Sequence, residues 1–233
     1  MKKKSVFTII PLIVFILVVT GCSTNVGQAT PKTLQDEKTK TAVASEEKLQ
    51  TVSISTSMAS IDSVESLVSK STVIVQGEVV GLDYFDFNSR TFTKVKIKVS
   101  NSFTDAVKVG EVVTFIDIGG ITTSDKLKLK DGYEGKPGTV EPITEKDKTT
   151  KVKVLLDGSP LTKLNEQVIY FGVEDKEDFY KLSEKYYDPI GAYQGKFTIK
   201  DNIAERYTED ASTSSLKMSK LDLTEKIKNN LKK

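Results

Sequence analysis

The chain has 233 residues, no histidine, one cysteine and a formal net charge of +2. The lack of histidine excludes Ser-His-Asp and Cys-His triads, zinc sites with histidine ligands and imidazole acid–base catalysis, and a single cysteine excludes an intramolecular disulfide. So small a charge implies no nucleic-acid partner, and the composition predicts a protein that is not an enzyme and has no metal or cofactor.

The N-terminus has the order of an export signal. Lys2, Lys3 and Lys4 precede an almost wholly apolar run over residues 5–19, which has signal-peptide length and is too short for a membrane span. Small residues and Cys22 follow, a pattern that resembles the lipobox of bacterial lipoproteins, although valine stands where leucine is usual. The resemblance implies a signal peptide over residues 1–21 and lipidation (palmitate) of Cys22. An uncleaved anchor with an incidental cysteine is the alternative.

Residues 22–57 follow the predicted lipidation site. They are rich in Ser, Thr, Lys, Gln and Glu, contain no aromatic residue and have no sustained apolar period. Such a composition cannot bury enough apolar surface to fold, so we expect a disordered tether.

A short helix is expected where the tether ends. Ile61, Val64, Leu67 and Val68 recur at helical spacing, and Ser60 is placed to cap the helix. From this point the chain is predicted to form one β-rich domain over residues 58–233.

Extended segments dominate that domain. Gly77 interrupts the first one and predicts a bulge or a close strand crossing, while Phe179 and Leu182 bound a short segment late in the chain. The predicted strands are residues 72–80, 91–99, 111–118, 152–156, 166–173, 179–182 and 196–200. Short strands with turn-rich connections favour a mainly β fold, namely a small closed or nearly closed antiparallel β-barrel that is OB-like. A β-sandwich is the alternative.

Two further segments complete the organisation. Residues 120–150 are rich in Lys, Asp, Gly and Thr and predict a long flexible loop, either disordered or a binding loop. Residues 222–232 predict an amphipathic C-terminal helix with a lysine-bearing polar face. That helix would cover one end of the barrel, or its lysines would contact anionic lipid headgroups.

Four stretches carry a family resemblance: SKSTVIVQGEVVG, KVKIKVSNSFTDAVKVGEVVTFIDIGG, LTKLNEQVIYFGV and GAYQGKFTI. They resemble uncharacterised extracytoplasmic lipoproteins of Gram-positive bacteria, over about residues 61–204. Asn165-Glu166 departs from the glycine-containing turn usual at that corner. The shared motifs are structural, so the resemblance implies location and fold and no activity.

Two motifs hint at chemistry but are better explained otherwise. Ser214 and Lys217 match the S-x-x-K pattern of serine acyl-enzymes, yet such a match is expected by chance in a chain rich in both residues. Asp83, Asp86 and Asn88 could offer oxygen ligands to calcium, but these residue types also favour turns, and the glycine and distal glutamate of an EF-hand loop are missing.

Aromatic residues give the candidate binding site. Tyr84, Phe85 and Phe87 lie beside one predicted turn, and a second group lies beside another. The second group, Tyr186, Tyr187, Tyr193 and Gln194, is predicted to form one side of a shallow ligand-binding groove. Alternatively, these side chains fill the ends of the barrel.

The sequence therefore predicts a lipid-anchored binding or interaction module on the extracytoplasmic face of the cell membrane. Its partners would be the membrane, through Cys22, and a cell-wall polymer, a peptide or an envelope protein. A histidine-free hydrolase that uses two carboxylates on wall glycans, and a passive envelope spacer or assembly factor, are the alternatives.

Overall fold

A computed structural model describes residues 49–127, 149–209 and 216–233. Its strands are β1 Gln50–Ile54, β2 Val73–Phe87, β3 Arg90–Ser102, β4 Val112–Thr123, β5 Lys151–Leu156, β6 Gln167–Glu174, β7 Tyr186–Pro189, β8 Lys196–Lys200, β9 Ile203–Glu205 and β10 Lys217–Ser219. Its helices are α1 Val64–Lys70, α2 Lys220–Leu231 and the 3-10 helix Ala192–Gly195. The predicted signal peptide, Cys22, most of the predicted tether, most of the predicted loop and Ser214 lie outside the described residues.

The mainly β prediction is confirmed. The ten described strands form one sheet, in which five strands close a ring in the order β2, β3, β4, β7, β6 and back to β2. Four of these pairs are antiparallel, and the pair of β4 with β7 is parallel. β5 and β1 extend the sheet from β4, while β8, β9 and β10 extend it from β6.

Two glycines shape the ring. The pairing of β2 with β3 shifts register between Gln76 and Gly77, which confirms the predicted irregularity. A Cβ atom at Gly77 would collide with the Lys98 carbonyl group, so only glycine fits where the two strands approach. Gly119 has a φ of 106°, and a Cβ atom there would lie 2.7 Å from the Val154 carbonyl oxygen. This conformation lets β4 leave the ring and pair with β5.

Two apolar cores stabilise the fold. The first lies inside the ring and comprises Val75, Val95, Ile97, Phe115, Val168, Tyr170 and Tyr187, among others. The second lies between the helices and the opposite face of β6 and β8, and includes Leu67, Phe171, Phe197, Leu223 and Ile227. The helices therefore cover one face of the sheet and leave the other face of β8 to β10 uncovered by them.

Both helices begin at other residues than predicted. α1 begins at Val64, and the Ser63 side chain accepts a hydrogen bond from the Ser66 amide, so Ser63 and not Ser60 is the N-cap. The Ile61 amide donates to Gln194 Oε1 at 2.8 Å, which holds that residue outside the helix. α2 begins at Lys220 because Ser219 accepts a hydrogen bond from the Asp222 amide at 3.0 Å.

A strand lies inside the segment predicted to be a tether. β1 pairs in parallel with β5, and Val52 packs with Val152 and Val154 in a small apolar cluster. Asp157 also holds the chain just after β1, since its side chain accepts hydrogen bonds from both the amide and the hydroxyl group of Thr56, at 2.8 and 3.0 Å. Pairing with a strand distant in sequence therefore orders a segment whose own composition is polar.

The strand predicted over residues 179–182 is wrong. Asp178 and Lys181 have left-handed φ values of 49° and 53°, which an extended strand excludes, and this part of the chain runs as turns. The neighbouring strand is β7 instead. The corner before β6 departs from the glycine-containing turn of the similar lipoproteins. Asn165 takes a φ of 64° there, so asparagine occupies the left-handed position that a glycine would favour.

Candidate functional site

An open groove of about 580 Å³ runs along β8 and β9. We call it the β8–β10 groove. It is lined by Pro160, Thr198, Lys200, Asp201, Ile203, Glu205, Arg206, Tyr207, Thr208 and Lys217. Its volume lies within the range of ligand-binding clefts, about 300–1,000 Å³.

Strand register explains why the groove is polar. Thr198 pairs with Glu205, which pairs with Lys217, so these three side chains lie side by side on one face of β8, β9 and β10. The residues that alternate with them, Ile199 and Ala204, belong to the second apolar core. One face of these short strands is therefore buried, and the other carries hydroxyl and charged groups into the groove.

Charged groups in the groove differ in how they are compensated. Lys217 Nζ lies 3.0 Å from Glu205 Oε2, and both side chains are about half exposed. Arg206 is 5% exposed, and its Nη1 donates to the Ile61 carbonyl oxygen at 2.5 Å. Burial lowers the pKa of Arg206, while the nearby Asp62 and Tyr193 act in the opposite direction. Arg206 nevertheless stays cationic, because guanidinium is not deprotonated in proteins.

Tyr207 forms part of the wall of the groove. Its hydroxyl group donates to the Asp157 carbonyl oxygen at 2.9 Å, and its ring meets the Tyr193 ring edge to face at a centroid distance of 5.5 Å. Burial raises the pKa of both tyrosines. The groove thus has a fixed aromatic side chain beside its charged groups, a combination common in ligand sites.

Two narrow clefts continue from the groove towards a buried polar network. They have volumes of about 40 and 20 Å³, and both are lined by Ser159, Pro160, Leu161 and Lys196. The network consists of Asp117, Thr162, Tyr170 and Lys196, which come from β4, the loop before β6, β6 itself and β8.

Every member of this polar network is hydrogen-bonded. Asp117 Oδ2 accepts from Thr162 Oγ1 at 2.6 Å and from the Tyr170 hydroxyl group at 2.8 Å. Lys196 Nζ donates to Thr162 Oγ1 at 2.8 Å and lies 3.4 Å from Asp117 Oδ2. Burial, followed by the charge of Asp117, raises the pKa of Tyr170 well above its usual value.

These contacts argue against a Thr–Lys catalytic pair. In such a pair, a neutral lysine accepts the hydroxyl proton of the nucleophile. Here Lys196 forms an ion pair with Asp117 and donates to Thr162, while Thr162 donates its own proton to the same carboxylate. The network is therefore structural, because its hydrogen bonds and ion pair connect β4, β6 and β8.

The predicted site residues do not form one groove. Tyr186 and Tyr187 are both 3% exposed. Tyr187 packs on Phe115 inside the ring, and the Tyr186 hydroxyl group donates to Asp175 Oδ2 at 2.5 Å. Gln194 is also buried, and its amide group joins Ile61 to Ala59. Tyr193 is half-buried, lines the smaller cleft and contacts Tyr207, so it alone of the four lies next to the β8–β10 groove. Ligand binding by these residues stays a prediction.

Two members of the first predicted aromatic group, Phe85 and Phe87, and one member of the second, Tyr186, meet on the outer surface of β2, β3 and β4. This aromatic face comprises Phe85, Phe87, Phe92, Ile116 and Ile118, and the buried Tyr186 packs with them. Residues 175–185, which we call the strap, cover it. The Tyr180 ring lies 4.9 Å from that of Phe92, between ring centroids, while Phe179 is 59% exposed at the margin.

Polar contacts hold the strap in place. Glu184 bridges Lys94 on β3, at 2.8 Å, and Thr114 on β4, at 3.2 Å, and its hydrogen bond to Lys94 is the main reason that its pKa is lowered. Asp175 accepts from the Tyr186 hydroxyl group and from the amides of Glu177 and Phe179. The first of these bonds is the largest cause of the lowered pKa of Asp175.

Asp83, Asp86 and Asn88 are used within the fold. Asp86 accepts from the hydroxyl groups of Thr91 and Thr122, at 2.8 and 3.0 Å, and pairs with Lys126. Asp83 pairs with Lys96 on β3, and Asn88 lies in the hairpin turn with a φ of 50°. Within residues 49–127, 149–209 and 216–233, no group of three or more His, Cys, Asp or Glu residues is placed to hold a metal ion.

None of the residues that line the groove was among the predicted ligand-binding residues. The sequence KFTIK over β8 alternates apolar and polar side chains, which indicates one wet face. Alternation alone does not distinguish a solvated face from the floor of a groove. The walls come from Pro160, Arg206 and Lys217, whose meeting depends on three separate connections.

Comparisons with protein-family models, curated proteins and solved structures found no match. Among the described helices, none has the length and apolar character required to cross a bilayer. The site itself must therefore supply the argument for function.

Proposed function

We propose that the protein is a lipid-anchored binding module of the cell envelope. Cys22 would anchor it on the extracytoplasmic face of the membrane, and the β8–β10 groove would bind a cell-wall polymer, a peptide or a segment of an envelope protein. The observation that carries the proposal is the groove: an open cleft of about 580 Å³ with a polar floor and an aromatic wall.

The contrast with the Asp117 network supports binding over catalysis. Catalysis needs a nucleophile or an acid–base pair with a free proton-accepting atom, and the Thr162–Lys196 pair has none to offer. Thr198, Lys200 and Lys217, in contrast, present polar groups at the open surface of the groove. A small number of polar groups around an open cleft suffices for recognition.

The proposed location has its own test. Full-length protein produced in its native host should carry a diacylated cysteine at its N-terminus, and the intact mass should lack residues 1–21. Cys22→Ala should abolish fatty-acid incorporation and release the protein from the membrane fraction. An unmodified thiol, or a retained leader, would disprove the lipid anchor.

Binding is tested by filling the groove. Thr198→Trp places a large side chain on the groove floor, and Lys228→Trp places the same side chain on an exposed position of α2. We expect the parent and Lys228→Trp to co-sediment with purified cell-wall fragments and Thr198→Trp to remain in the supernatant. Equal sedimentation of all three would rule out the groove as the site.

The same mixtures distinguish the alternatives. A hydrolase would release soluble sugars from the fragments over time, and substitution of one essential carboxylate would stop that release. A passive spacer would show neither sedimentation nor release. A pure binding module sediments without changing the fragments.

A further inference from the structure

β1 lies at one end of the sheet, and its outer edge is unpaired among the described strands. Parallel pairing with β5 uses the backbone groups of alternate residues of β1. The Asp157 amide donates to the Ile54 carbonyl oxygen at 2.8 Å, so Val52 and Ile54 direct their backbone groups towards β5. The amide and carbonyl groups of Thr51 and Ser53 therefore point away from the sheet, where no described residue bonds to them.

The sequence of β1 has none of the features that protect an edge. Edge strands of natural proteins are often very short, or carry lysine, proline or a bulge, and these features prevent pairing with another chain. β10, at the opposite end of the sheet, is such a strand, because it has 3 residues and includes the exposed Lys217. β1 has 5 residues, QTVSI, with no charge and no proline, and its register with β5 is continuous. Its edge is therefore competent to pair with another strand.

The side chains of β1 suit pairing with an identical strand. Thr51 and Ser53 are exposed on one face, whereas Val52 is buried on the other face with Val152 and Val154. A two-fold axis sets the same strand on both sides of an interface, so a charged strand would face its own charge there. β1 has no charged side chain, and cross-strand pairs of Thr with Ser stabilise a sheet.

A foreign peptide fits this edge less well than a second copy does. Domains that bind peptides by adding a strand take their specificity from pockets for alternate side chains of the peptide. Neither the β8–β10 groove nor the two narrow clefts is lined by a residue of β1. Self-complementarity of the strand is therefore the property that selects a partner here.

We propose that two copies of the chain associate by antiparallel pairing of their β1 strands, so that the sheet continues from one copy into the other. Within Gln50–Ile54, the register that sets Thr51 opposite Ser53 of the second copy uses every outward amide and carbonyl group of those residues. It also sets Val52 beside Val52 of the second copy. The dimer closes, because each copy contributes one β1 edge. This inference goes beyond the proposed function and depends neither on the groove nor on the lipid anchor.

Disulfide cross-linking of the purified full-length protein in detergent solution tests the register. Hydrogen-bonded antiparallel pairs have Cα atoms about 5.5 Å apart, a separation that suits a disulfide, so Thr51→Cys with Ser53→Cys should form a covalent dimer under mild oxidation. The parent, whose only cysteine is Cys22, gives the background. Lys226→Cys with Lys228→Cys is the matched control, with the same spacing at exposed positions of α2. We expect severalfold more dimer from the β1 pair, and equal yields from the two pairs would overturn the proposal.

Charge exchange tests the same contact without added cysteines. A first double variant, Thr51→Lys with Ser53→Lys, sets lysines opposite lysines across the two-fold axis, whereas a second, Thr51→Lys with Ser53→Glu, sets each lysine opposite a glutamate. Both positions are exposed in the single copy, so both variants should fold. Ser53→Pro removes one outward amide and should also prevent pairing.

Sedimentation velocity over a range of protein concentrations measures the association of these variants in detergent solution. We expect the parent and the second double variant to dimerise as the concentration rises, and the first double variant and Ser53→Pro to stay monomeric. A parent that is monomeric at every concentration, or a first double variant that associates like the parent, would overturn the proposal.

Discussion

The two ends of β8 place lysines in opposite environments. Lys196 is enclosed with Asp117 and Thr162, and every polar group around it has a partner. Lys200, at the other end, lies exposed at the β8–β10 groove. The aromatic face resembles the closed end, because the strap covers it. Polar and aromatic groups whose partners lie within the protein stabilise the fold. Polar groups that are exposed at the groove are available to a ligand.

Disrupting the buried polar network around Lys196 should have the largest effect on stability. Asp117→Ala removes the acceptor for Thr162 and Tyr170 and leaves the buried Lys196 without its counter-ion. We expect unfolding free energy to fall by about 3–5 kcal/mol, as for other broken buried pairs. Urea denaturation followed by circular dichroism measures it. The double variant Asp117→Asn with Lys196→Met should recover most of the loss, and a single variant as stable as the parent would contradict the assignment.

Removing a side chain of the strap from the aromatic face should reduce stability by a smaller amount. Tyr180→Ala removes ring contacts to Phe85, Phe87 and Phe92, so we expect a loss of about 2 kcal/mol and faster hydrogen exchange of the strap amides. The control is Tyr180→Phe, which keeps the ring. Binding to wall fragments should not change, and a loss of binding in Tyr180→Ala would mean that the aromatic face, and not the groove, contacts the ligand.

A half-buried carboxyl group on β7 gives the next prediction. Burial, with a smaller contribution from Asp175, raises the pKa of Asp188 from 3.8 to about 6. Between these values the folded chain keeps a proton that the unfolded chain has lost, so this group lowers stability as the pH rises through that window. Asp188→Asn should abolish that decline and stabilise the protein by about 1 kcal/mol at pH 7, after allowance for the screening of a half-exposed group.

Thermal melts from pH 4 to pH 7 provide the measurement. Glu174→Gln on β6 is the matched control, because Glu174 is exposed and, among the described residues, its side chain forms an ion pair with Lys185 at the surface. A parent protein whose stability does not change across this range, or an Asp188→Asn variant with the same decline as the parent, would refute the assignment.

Substitutions in the β8–β10 groove should change the stability least. Lys217→Gln breaks an ion pair whose two side chains are about half exposed, so stability should change by less than about 0.5 kcal/mol. Urea denaturation measures this change, and a loss as large as that of Asp117→Ala would erase the distinction between the two regions.

Features of the fold that depend on local sequence could be predicted, and features that depend on contacts between distant segments could not. The strand alternation of β3 and the Gly77 irregularity are local, and both could be predicted from the sequence. β1 could not be, since its only distinguishing feature is a distant partner, β5. The strand predicted over residues 179–182 is wrong because the apolar side chains of this part of the strap pack on other elements while the backbone turns at Asp178 and Lys181.

The candidate site shows the same limit. The sequence analysis placed Phe85 and Phe87 beside one turn and Tyr186 beside another, and the structure brings the three together on the aromatic face. It could not show that Tyr187 and Gln194 are buried, because burial depends on ring closure and on the position of Ile61. The groove arises where β8 to β10 leave the ring, a property of topology that no local pattern encodes.

Hydrogen–deuterium exchange with and without cell-wall fragments tests the central claim most directly. If the groove is the ligand site, added fragments should slow exchange in residues 196–208 and 216–219 and leave the strap and residues 85–94 unchanged. Slower exchange confined to the strap and residues 85–94, with the groove unchanged, would contradict the account and assign recognition to the aromatic face.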